Sequence, residues 1–397
     1  MELSKGLTVL LRTTHSTVNI YSIMDKYLAT DYVPIQPIKG RGALHNPDNR
    51  YSSIHSERHF DHLEYDDDEN GVATPKIPTQ LMRDSSKTII TTNKSPDIPF
   101  HQSINPYKGC EHGCIYCFAR PTHAYWDLSP GLDFETKILY KPEGPELLER
   151  ALTKKGYQCS PIAFGTNTDP YQPIDKQMGI TRKLLQVLQR FRHPFTIVTK
   201  GSHLLRDLDI LEDMAKDNLC AVFVSVTTLD NDLKRILEPR AASAQTRLAT
   251  IKTLADRGIP VGVLVAPVIP MINDREMEGI LEACAAAGAQ RAGHLFIRLP
   301  REVKDLFHEW LHAHFPDRAK HVVNLIRQSR GGADNVSEYG RRMRGEGVFG
   351  ELLNNRFQKT CERLGLNKRD DLVLDCNQFA IAMANMPPKS GNQLALF

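Results

Sequence analysis

From about residue 98 the chain alternates short runs of β-branched residues with longer amphipathic stretches, and this pattern constrains the fold most strongly. Such an order is typical of repeated βα units, whose strands share one parallel sheet. Eight units do not fit before the chain becomes helical near residue 300, so we expect an α/β fold, a partial (β/α)6 TIM-type barrel with its chemistry at the carboxyl ends of the strands. Six strands are predicted: Phe100–Ile104, Pro161–Gly165, Phe195–Thr199, Cys220–Val226, Val261–Ala266 and His294–Leu299.

The segments on either side of this alternation predict the remaining organisation. Residues 1–97 have no sustained period and carry an acidic run with many Pro, Ser and Asn, so we expect an irregular N-terminal extension. Within it, KGRGALHNP is expected to lie against the body as a strap or to contact a phosphate. Residues 98–300 form the predicted barrel, residues 301–385 a helical C-terminal cap and residues 386–397 a flexible tail.

Composition excludes several classes of protein. Among 397 residues, 41% are apolar and 24% are charged, as in globular proteins. The most apolar stretch, residues 258–272, is interrupted by three prolines, so no membrane span is predicted. The N-terminus has no signal-peptide pattern, and the sparse cysteines are expected to be reduced, so the predicted location is cytoplasmic. A net charge of +3 indicates no particular partner.

One short loop carries three of the eight cysteines: Cys110, Cys114 and Cys117. Three thiolates on a tight loop can each bind one iron of a [4Fe–4S] cube and leave the fourth iron open. The alternative is a Cys3His zinc site completed by His112 or His123.

The segment INPYKGCEHGCIYCFARPTHAYW resembles the motif of the radical S-adenosylmethionine (SAM) superfamily, with Tyr116 before the last cysteine. The resemblance implies a [4Fe–4S] cluster whose open iron binds SAM and cleaves it reductively to a 5′-deoxyadenosyl radical. From about Lys39 onward, GTNTDPYQPID, TKG, SVTTLD and APVIPMIND extend it to the spore-photoproduct-lyase-like branch, with uncharacterised bacterial relatives associated with DNA repair. The SAM-contacting residues that it implies are Tyr116, Thr168, Lys200, Ser225 and Asn273.

The chemistry of these side chains agrees with those roles. Lys200 is a cation suited to the carboxylate of SAM, and the hydroxyls of Thr168 and Ser225 suit its methionyl or ribose groups. Asn273 follows the fifth predicted strand, where the loop is expected to contact the adenine of SAM. Structural alternatives stay open: a turn cap for Thr168, strand packing for Ser225 and a helix cap for Asn273.

Departures from the lyase pattern limit how far its activity carries over. The lyase has a hydrogen-donating cysteine three residues before its strand-end Asp, where this chain has Thr166, and a tyrosine where this chain has Phe118. Cys159 and Cys220 fall at the beginnings of predicted strands, the opposite end from the cluster loop. We therefore expect no true spore photoproduct lyase activity.

The expected function is a radical SAM enzyme acting on nucleic acid, in DNA repair or modification. The alternatives are a radical SAM enzyme acting on a protein or small metabolite, and a protein whose cluster serves sensing or binding. Electrons are expected from a flavodoxin- or ferredoxin-type donor, because the sequence has no second cluster motif.

Three further segments have a functional and a structural interpretation. The arginine-rich loop at residues 327–344 is expected either to contact phosphates or to be a solvated surface. Glu238 and Arg240 are expected to pair with each other at the surface. The C-terminal QLALF resembles the peptide that binds the DNA sliding clamp, which implies a clamp contact through Gln393, Leu394, Leu396 and Phe397.

Overall fold

A computed structural model describes residues 37–51, 65–67, 73–75, 77–368 and 373–385. The strands in these residues are β1 (Tyr65–Asp67), β2 (Ala73–Pro75), β3 (Gln80–Arg83), β4 (Ile90–Thr92), β5 (Gln102–Ile104), β6 (Tyr107–Lys108), β7 (Lys137–Tyr140), β8 (Ile162–Phe164), β9 (Phe195–Thr199), β10 (Cys220–Ser225), β11 (Val261–Val268) and β12 (Arg291–Phe296).

The central sheet has seven strands in the order β12-β11-β10-β9-β8-β5-β4. Strands β5 and β8 to β12 run parallel in chain order, and β4 pairs antiparallel with β5. Within the described residues no pairing joins β4 to β12, so the sheet is an open partial barrel. The predicted α/β partial-barrel fold, with six parallel strands, is confirmed.

Strand β12 begins and ends three residues earlier than predicted. It spans Arg291–Phe296, whereas the apolar run suggested His294–Leu299. Ile297 and Leu299 are buried beyond the end of the strand, where they pack in the core. The apolar run therefore predicts which residues are buried here, but it does not predict where the strand ends.

Helices alternate with the strands and pack their apolar faces on the sheet. Helix Ile180–Arg190 buries Leu184, Leu185 and Leu188, which recur at helical spacing. Ser243 caps the N-terminus of helix Ala244–Asp256. The other helices before residue 300 are Leu132–Thr136, Gly144–Leu152, Asp175–Met178, Leu208–Lys216, Asn231–Leu237 and Met277–Ala286, with 3-10 turns at Arg120–Trp126, His203–Asp207 and Asp274–Glu276.

Residues 1–97, predicted to be irregular, contribute strands in their described part. β1 and β2 form a two-stranded antiparallel sheet, and β3 joins β7 and β6 in a three-stranded sheet. β4 pairs with β5, so a boundary at residue 97 divides two strands that share hydrogen bonds. These short strands were not predicted, because segments of three or four residues show no measurable hydrophobic period.

After residue 300 the chain is helical, with helices Val303–His314, Pro316–Gln328, Gly347–Leu364 and Asn377–Asn385. Trp310 is fully buried, and its indole donates to the carbonyl of Ile236, which anchors these helices on the barrel. No helix of the described residues is long and apolar enough to cross a membrane. The domain boundaries stay predictions, and the QLALF segment lies outside the described residues.

Candidate active site

The cysteine loop follows β6 at the carboxyl ends of the parallel strands. The backbone N–H of Cys110 donates to the carbonyl of Phe134 (2.9 Å), and that of Ile115 donates to Leu237 (3.2 Å). Cys110 and Cys114 are buried, whereas Cys117 is partly exposed. Gly113 adopts a φ of +69°, and a Cβ there would lie 2.8 Å from a carboxylate oxygen of Glu135, so the loop needs glycine at this turn.

The fully buried side chain of Arg120 binds the backbone of the cysteine loop. Arg120 donates to the carbonyls of Cys114 (3.0 Å), Gly113 (3.2 Å) and Gly131 (2.9 Å). It also pairs with Glu135 at 2.5 Å, and neither side chain is exposed to solvent. Because Arg120 binds loop carbonyls and a carboxylate together, it couples the loop to helix Leu132–Thr136.

The segment KGRGALHNP lies directly on the cysteine loop. Glu135 accepts hydrogen bonds from the backbone N–H groups of Gly42 (3.0 Å) and Ala43 (2.8 Å). A Cβ on Gly42 would lie 1.8 Å from the carbonyl oxygen of Gly113, so only glycine allows this approach. The strap interpretation of this segment is therefore confirmed for residues 42 and 43.

Burial raises the pKa of all three thiols. The charge of Asp169 raises that of Cys110 further, and for Cys114 burial and the charge of Glu238 raise the pKa to about 12. A thiol must lose its proton to bind iron, so metal binding here releases protons.

The two histidines considered as zinc ligands are engaged elsewhere. His112 lies 3.3 Å from Asp169, and the Nε2 of His123 lies 2.9 Å from the carbonyl of Lys137. Among the described residues no three His, Cys, Asp or Glu side chains are grouped to hold a single metal ion. A [4Fe–4S] cube has a different requirement, because each thiolate binds its own iron.

Asp169 connects the cysteine loop to the ends of β8 and β9. Its carboxylate accepts from the backbone N–H of Lys200 (2.7 Å) and the hydroxyl of Thr199 (2.7 Å), and it faces His112. Burial raises the pKa of Asp169, but the His112 charge and these hydrogen bonds outweigh it, and the pKa falls to about 2. Asp169 is therefore an ionised anchor.

Lys200 and Tyr116 meet beside the cysteines. The Lys200 ammonium lies 5.8 Å from the centre of the Tyr116 ring, and no hydrogen bond to a described residue engages it. Burial lowers the pKa of Lys200, but the negative charges of Cys114 and Glu238 raise it by more. A charged ammonium with no hydrogen-bond partner in the described part of the chain is thus available next to the cysteine loop.

Glu238 lies beneath Tyr116 in a buried network. It accepts from the Tyr116 hydroxyl and from Thr227 (2.6 Å), and it pairs with Arg247. The expected surface pair of Glu238 with Arg240 is wrong, because Arg240 pairs with Glu111 (3.0 Å). Burial raises the pKa of Glu238, but the charges of Arg247 and Lys200 lower it to about 2.

The side chains of the other implied SAM contacts differ in how many of their hydrogen-bonding groups are already engaged. The hydroxyl of Thr168 donates to the carbonyl of Tyr107 (2.7 Å), and that of Ser225 donates to Ala266 (3.3 Å). Both oxygens keep lone pairs that can accept. Asn273 is fully engaged: its oxygen accepts from Ile269, and its amide nitrogen donates to Thr227 and Pro267. Its side chain therefore joins the loops after β10 and β11.

A cavity of about 360 Å³ opens beside the carboxyl ends of β5 and β8. Lys108 and Lys141 lie on one wall and share the buried carboxylate of Asp84, at 2.9 and 3.8 Å. Thr166 lines the cavity and accepts from Asn105 (3.3 Å). The polar lining residues are Thr91, Thr92, Asn93, Ser103, Asn105, Lys108, Lys141, Thr166 and Asn167, with Tyr107, Ile98 and Phe100 completing the wall.

In the arginine-rich loop, most of the guanidinium groups are paired. Arg327 pairs with Asp334, Arg341 with Glu338 and Glu346, and Arg342 with Asp97. Arg330 is buried and donates to the carbonyls of Arg341, Arg344 and Ile297. The loop therefore matches the structural interpretation better than a phosphate-binding one.

Similarity to known proteins identifies the family of this chain. Residues 104–284 match the model of the radical SAM superfamily. An uncharacterised protein of Mycobacterium tuberculosis is 34% identical over 241 residues, which are 59% of this chain and 71% of that protein. The chain belongs to the radical SAM superfamily. It is accordingly a radical SAM enzyme, with a [4Fe–4S] cluster and SAM as cofactors.

Other similarities agree with this assignment. An uncharacterised protein of Methanocaldococcus jannaschii is 27% identical over 197 residues, which are 50% of this chain and 71% of that protein. Spore photoproduct lyase complexed with dinucleoside spore photoproduct aligns with a TM-score of 0.52 at 15% identity, over 72% of this chain and 80% of that one. At this identity the likeness concerns the fold, which is the partial barrel described above.

Proposed function

We propose that Cys110, Cys114 and Cys117 bind the [4Fe–4S] cluster and that this radical SAM enzyme acts on a nucleic acid. The ligand assignment depends on one observation: three thiols lie on one loop at the carboxyl ends of the strands, and Arg120 binds the backbone carbonyls of that loop. The donor set suits an iron–sulfur cube, since thiolates are its usual ligands. When bound, the cluster and SAM supply the one-electron chemistry that removes a hydrogen atom from an unactivated carbon.

Three residues are proposed to bind SAM. The ammonium of Lys200 neutralises its carboxylate, because the ammonium is charged, partly buried near Cys114 and without a hydrogen bond to any described residue. Ser225 and Thr168 accept hydrogen bonds through the lone pairs that their backbone contacts leave. Tyr116 and Asn273 position the surrounding loops, one through Glu238 and the other through three backbone groups.

The cavity next to Thr166 supports a nucleic-acid substrate. Nine of its twelve lining residues are polar, it has room for a nucleotide, and its two lysines against one aspartate give an excess of positive charge that suits a phosphate. A protein with the same fold is solved with a dinucleoside spore photoproduct, which agrees with this substrate class. Because Thr166 stands where the lyase has its hydrogen-donating cysteine, the reaction is proposed to differ from spore photoproduct repair.

The test is SAM cleavage by the anaerobically reconstituted and reduced protein, measured as 5′-deoxyadenosine. We expect product from the native protein and none from a Cys110/Cys114/Cys117→Ala variant. Lys200→Met, which keeps the length of the side chain, is expected to raise the SAM concentration needed for half-maximal cleavage while retaining iron. Cleavage by the triple variant would refute the ligand assignment, and an unchanged SAM requirement in Lys200→Met would refute the carboxylate contact.

The substrate class and the electron donor are tested with the same product. Addition of damaged or single-stranded DNA is expected to increase 5′-deoxyadenosine formation, whereas peptides and small metabolites are not. Reduced flavodoxin or ferredoxin is expected to replace a chemical reductant, as the donor proposal requires. Stimulation by peptides alone would favour the alternative substrate class.

A further inference from the structure

Three large aromatic side chains are exposed beside the cysteine loop. Tyr51, Tyr125 and Trp126 are exposed by 58%, 65% and 41%, and the rings of Tyr51 and Tyr125 have centres 5.9 Å apart. We call these three residues the aromatic surface. Exposed aromatic rings grouped in this way are typical of binding surfaces, because folding alone would bury them.

Cations lie against the rings of the aromatic surface. The guanidinium of Arg50 is 4.7 Å from the centre of the Tyr51 ring and 5.2 Å from that of Tyr125. The ammonium of Lys108 is 3.6 Å from the centre of the Trp126 ring. Each cation lies over part of the rings and leaves the exposed remainder available for a second contact.

Arg50 and the rings are held in place before any ligand binds. The guanidinium of Arg50 also donates to the carboxylate of Glu302 (2.9 Å) and to the carbonyl of Pro121 (3.1 Å). Pro121, Tyr125 and Trp126 belong to the 3-10 turn Arg120–Trp126, which begins three residues after the last cysteine. A surface ordered in advance loses less conformational entropy on binding.

The aromatic surface is continuous with the candidate active site. Lys108 lies over Trp126 and also lines the cavity that contains Thr166. Lys108 precedes the first cysteine by two residues, so the same short segment serves the cysteine loop, the cavity and the aromatic surface. A chain-like ligand on the rings would therefore pass next to the reactive centre.

We propose that the aromatic surface binds the bases of an unpaired nucleic-acid strand by stacking, while the excess positive charge of Lys108 and Lys141 over Asp84 in the adjoining cavity favours its phosphates. This inference rests on the proposed nucleic-acid function and specifies the form of the substrate. Bases in a duplex have both faces covered by their neighbours, whereas unpaired bases stack on aromatic side chains. An enzyme that reacts with a base must also take that base out of the duplex stack.

The natural tryptophans give a direct readout. The chain has two tryptophans, and the second, Trp310, is fully buried, so a ligand on the surface changes the emission of Trp126. The reconstituted protein is titrated with a fluorescently labelled oligothymidylate of about 12 nucleotides, and with the same strand paired to oligoadenylate. Anisotropy gives the Kd, and intrinsic fluorescence reports on Trp126.

We expect the single strand to quench Trp126 and to bind more tightly than the duplex. Trp126→Ala and Tyr125→Ala are each expected to weaken single-strand binding about tenfold or more. The matched control is Tyr339→Ala, which removes another exposed tyrosine beside an arginine, here Arg342 at 4.8 Å. It is expected to leave the Kd unchanged.

In the DNA titrations, either of two outcomes would overturn the inference: an unchanged Kd in both Trp126→Ala and Tyr125→Ala, or equal binding of duplex and single strand. Preferred binding of an unstructured basic or acidic peptide would assign the surface to a protein partner and overturn it as well. The 5′-deoxyadenosine assay separates this from the proposed function. If SAM is cleaved while ring removal has no effect, the inference alone fails; if SAM is not cleaved but ring removal weakens binding, the proposed chemistry fails.

Discussion

The replacement Glu135→Gln tests how the cysteine loop is held in place. Glu135 is paired with Arg120, and it also accepts from the backbone N–H groups of Gly42 and Ala43. Glutamine keeps the size of the side chain but has one oxygen where the carboxylate has two. Whichever way the amide is turned, its NH2 group faces a donor, either Arg120 or the backbone of the strap.

The expected loss of stability follows from the burial of this pair. Removing one partner of a buried ion pair leaves the other charge without compensation and costs roughly 3–5 kcal/mol. An unsatisfied buried donor alone costs about 1–3 kcal/mol, which sets the lower limit if the charge finds water. We expect Glu135→Gln to lower the free energy of unfolding by about 3–5 kcal/mol.

The double variant Arg120→Met/Glu135→Leu separates the charge effect from the hydrogen bonds. If mutual neutralisation were the whole role of the pair, an apolar replacement of both residues would be nearly neutral. Arg120 also serves the carbonyls of Gly113, Cys114 and Gly131, and these lose their donor in the double variant. We therefore expect only partial recovery of stability.

Chemical denaturation measures the stability, and iron per chain after reconstitution measures the loop. The matched control is Asp256→Asn, which breaks an exposed ion pair with Lys252 and is expected to cost less than about 1 kcal/mol. A Glu135→Gln variant that is as stable as this control and retains its iron would refute the reasoning. Full recovery in the double variant would show that the carbonyl contacts contribute little.

Three further predictions are independent of this pair. Gly42→Ala is expected to reduce iron retention, because its Cβ would meet the carbonyl of Gly113, whereas Gly279→Ala, with no atom closer than 3.9 Å, is expected to keep it. The pKa of Glu238 is lowered to about 2, so its contribution to stability is present above the unfolded value near 4.5 and is lost as the pH falls towards 2; Glu238→Gln should reduce the slope of stability against pH in acid denaturation. Deletion of Gln393–Phe397 is expected to abolish co-purification with the sliding clamp without changing SAM cleavage, and retained co-purification would refute the clamp contact.

The strand pattern and the cysteine spacing were predictable because both are local. Runs such as Phe195–Thr199 and Cys220–Val226 are bounded by helical stretches, and the structure places β9 and β10 there. Cys220 is the first residue of β10, as expected, which puts it at the opposite strand end from the cysteine loop. In a sheet of parallel βα units, the segments that follow the strands all lie at one edge. The position of the site is therefore predictable from the order of the strands alone.

Long-range pairing was not predictable from the sequence. Glu238 pairs with Arg247 and not with Arg240, because its position beneath Tyr116 depends on how the loop after β10 packs. Gly42 approaches the cysteine loop from a segment about 70 residues earlier, where no periodicity marks it. Residues that support a site through distant contacts have no local signal, whereas ligand residues on a single loop do.

Thr166 limits which reactions this enzyme can complete. Its hydroxyl oxygen accepts from Asn105 beside the cavity, and a hydroxyl is a much poorer hydrogen-atom donor than the thiol of the lyase. Cys220 begins β10, and Cys159 lies just before β8, so neither thiol can replace it at the carboxyl ends of the strands. The substrate radical therefore cannot take its hydrogen from a thiol at this position. We therefore expect the reaction to end without a thiol donor at this position, for example by return of hydrogen from the SAM-derived product.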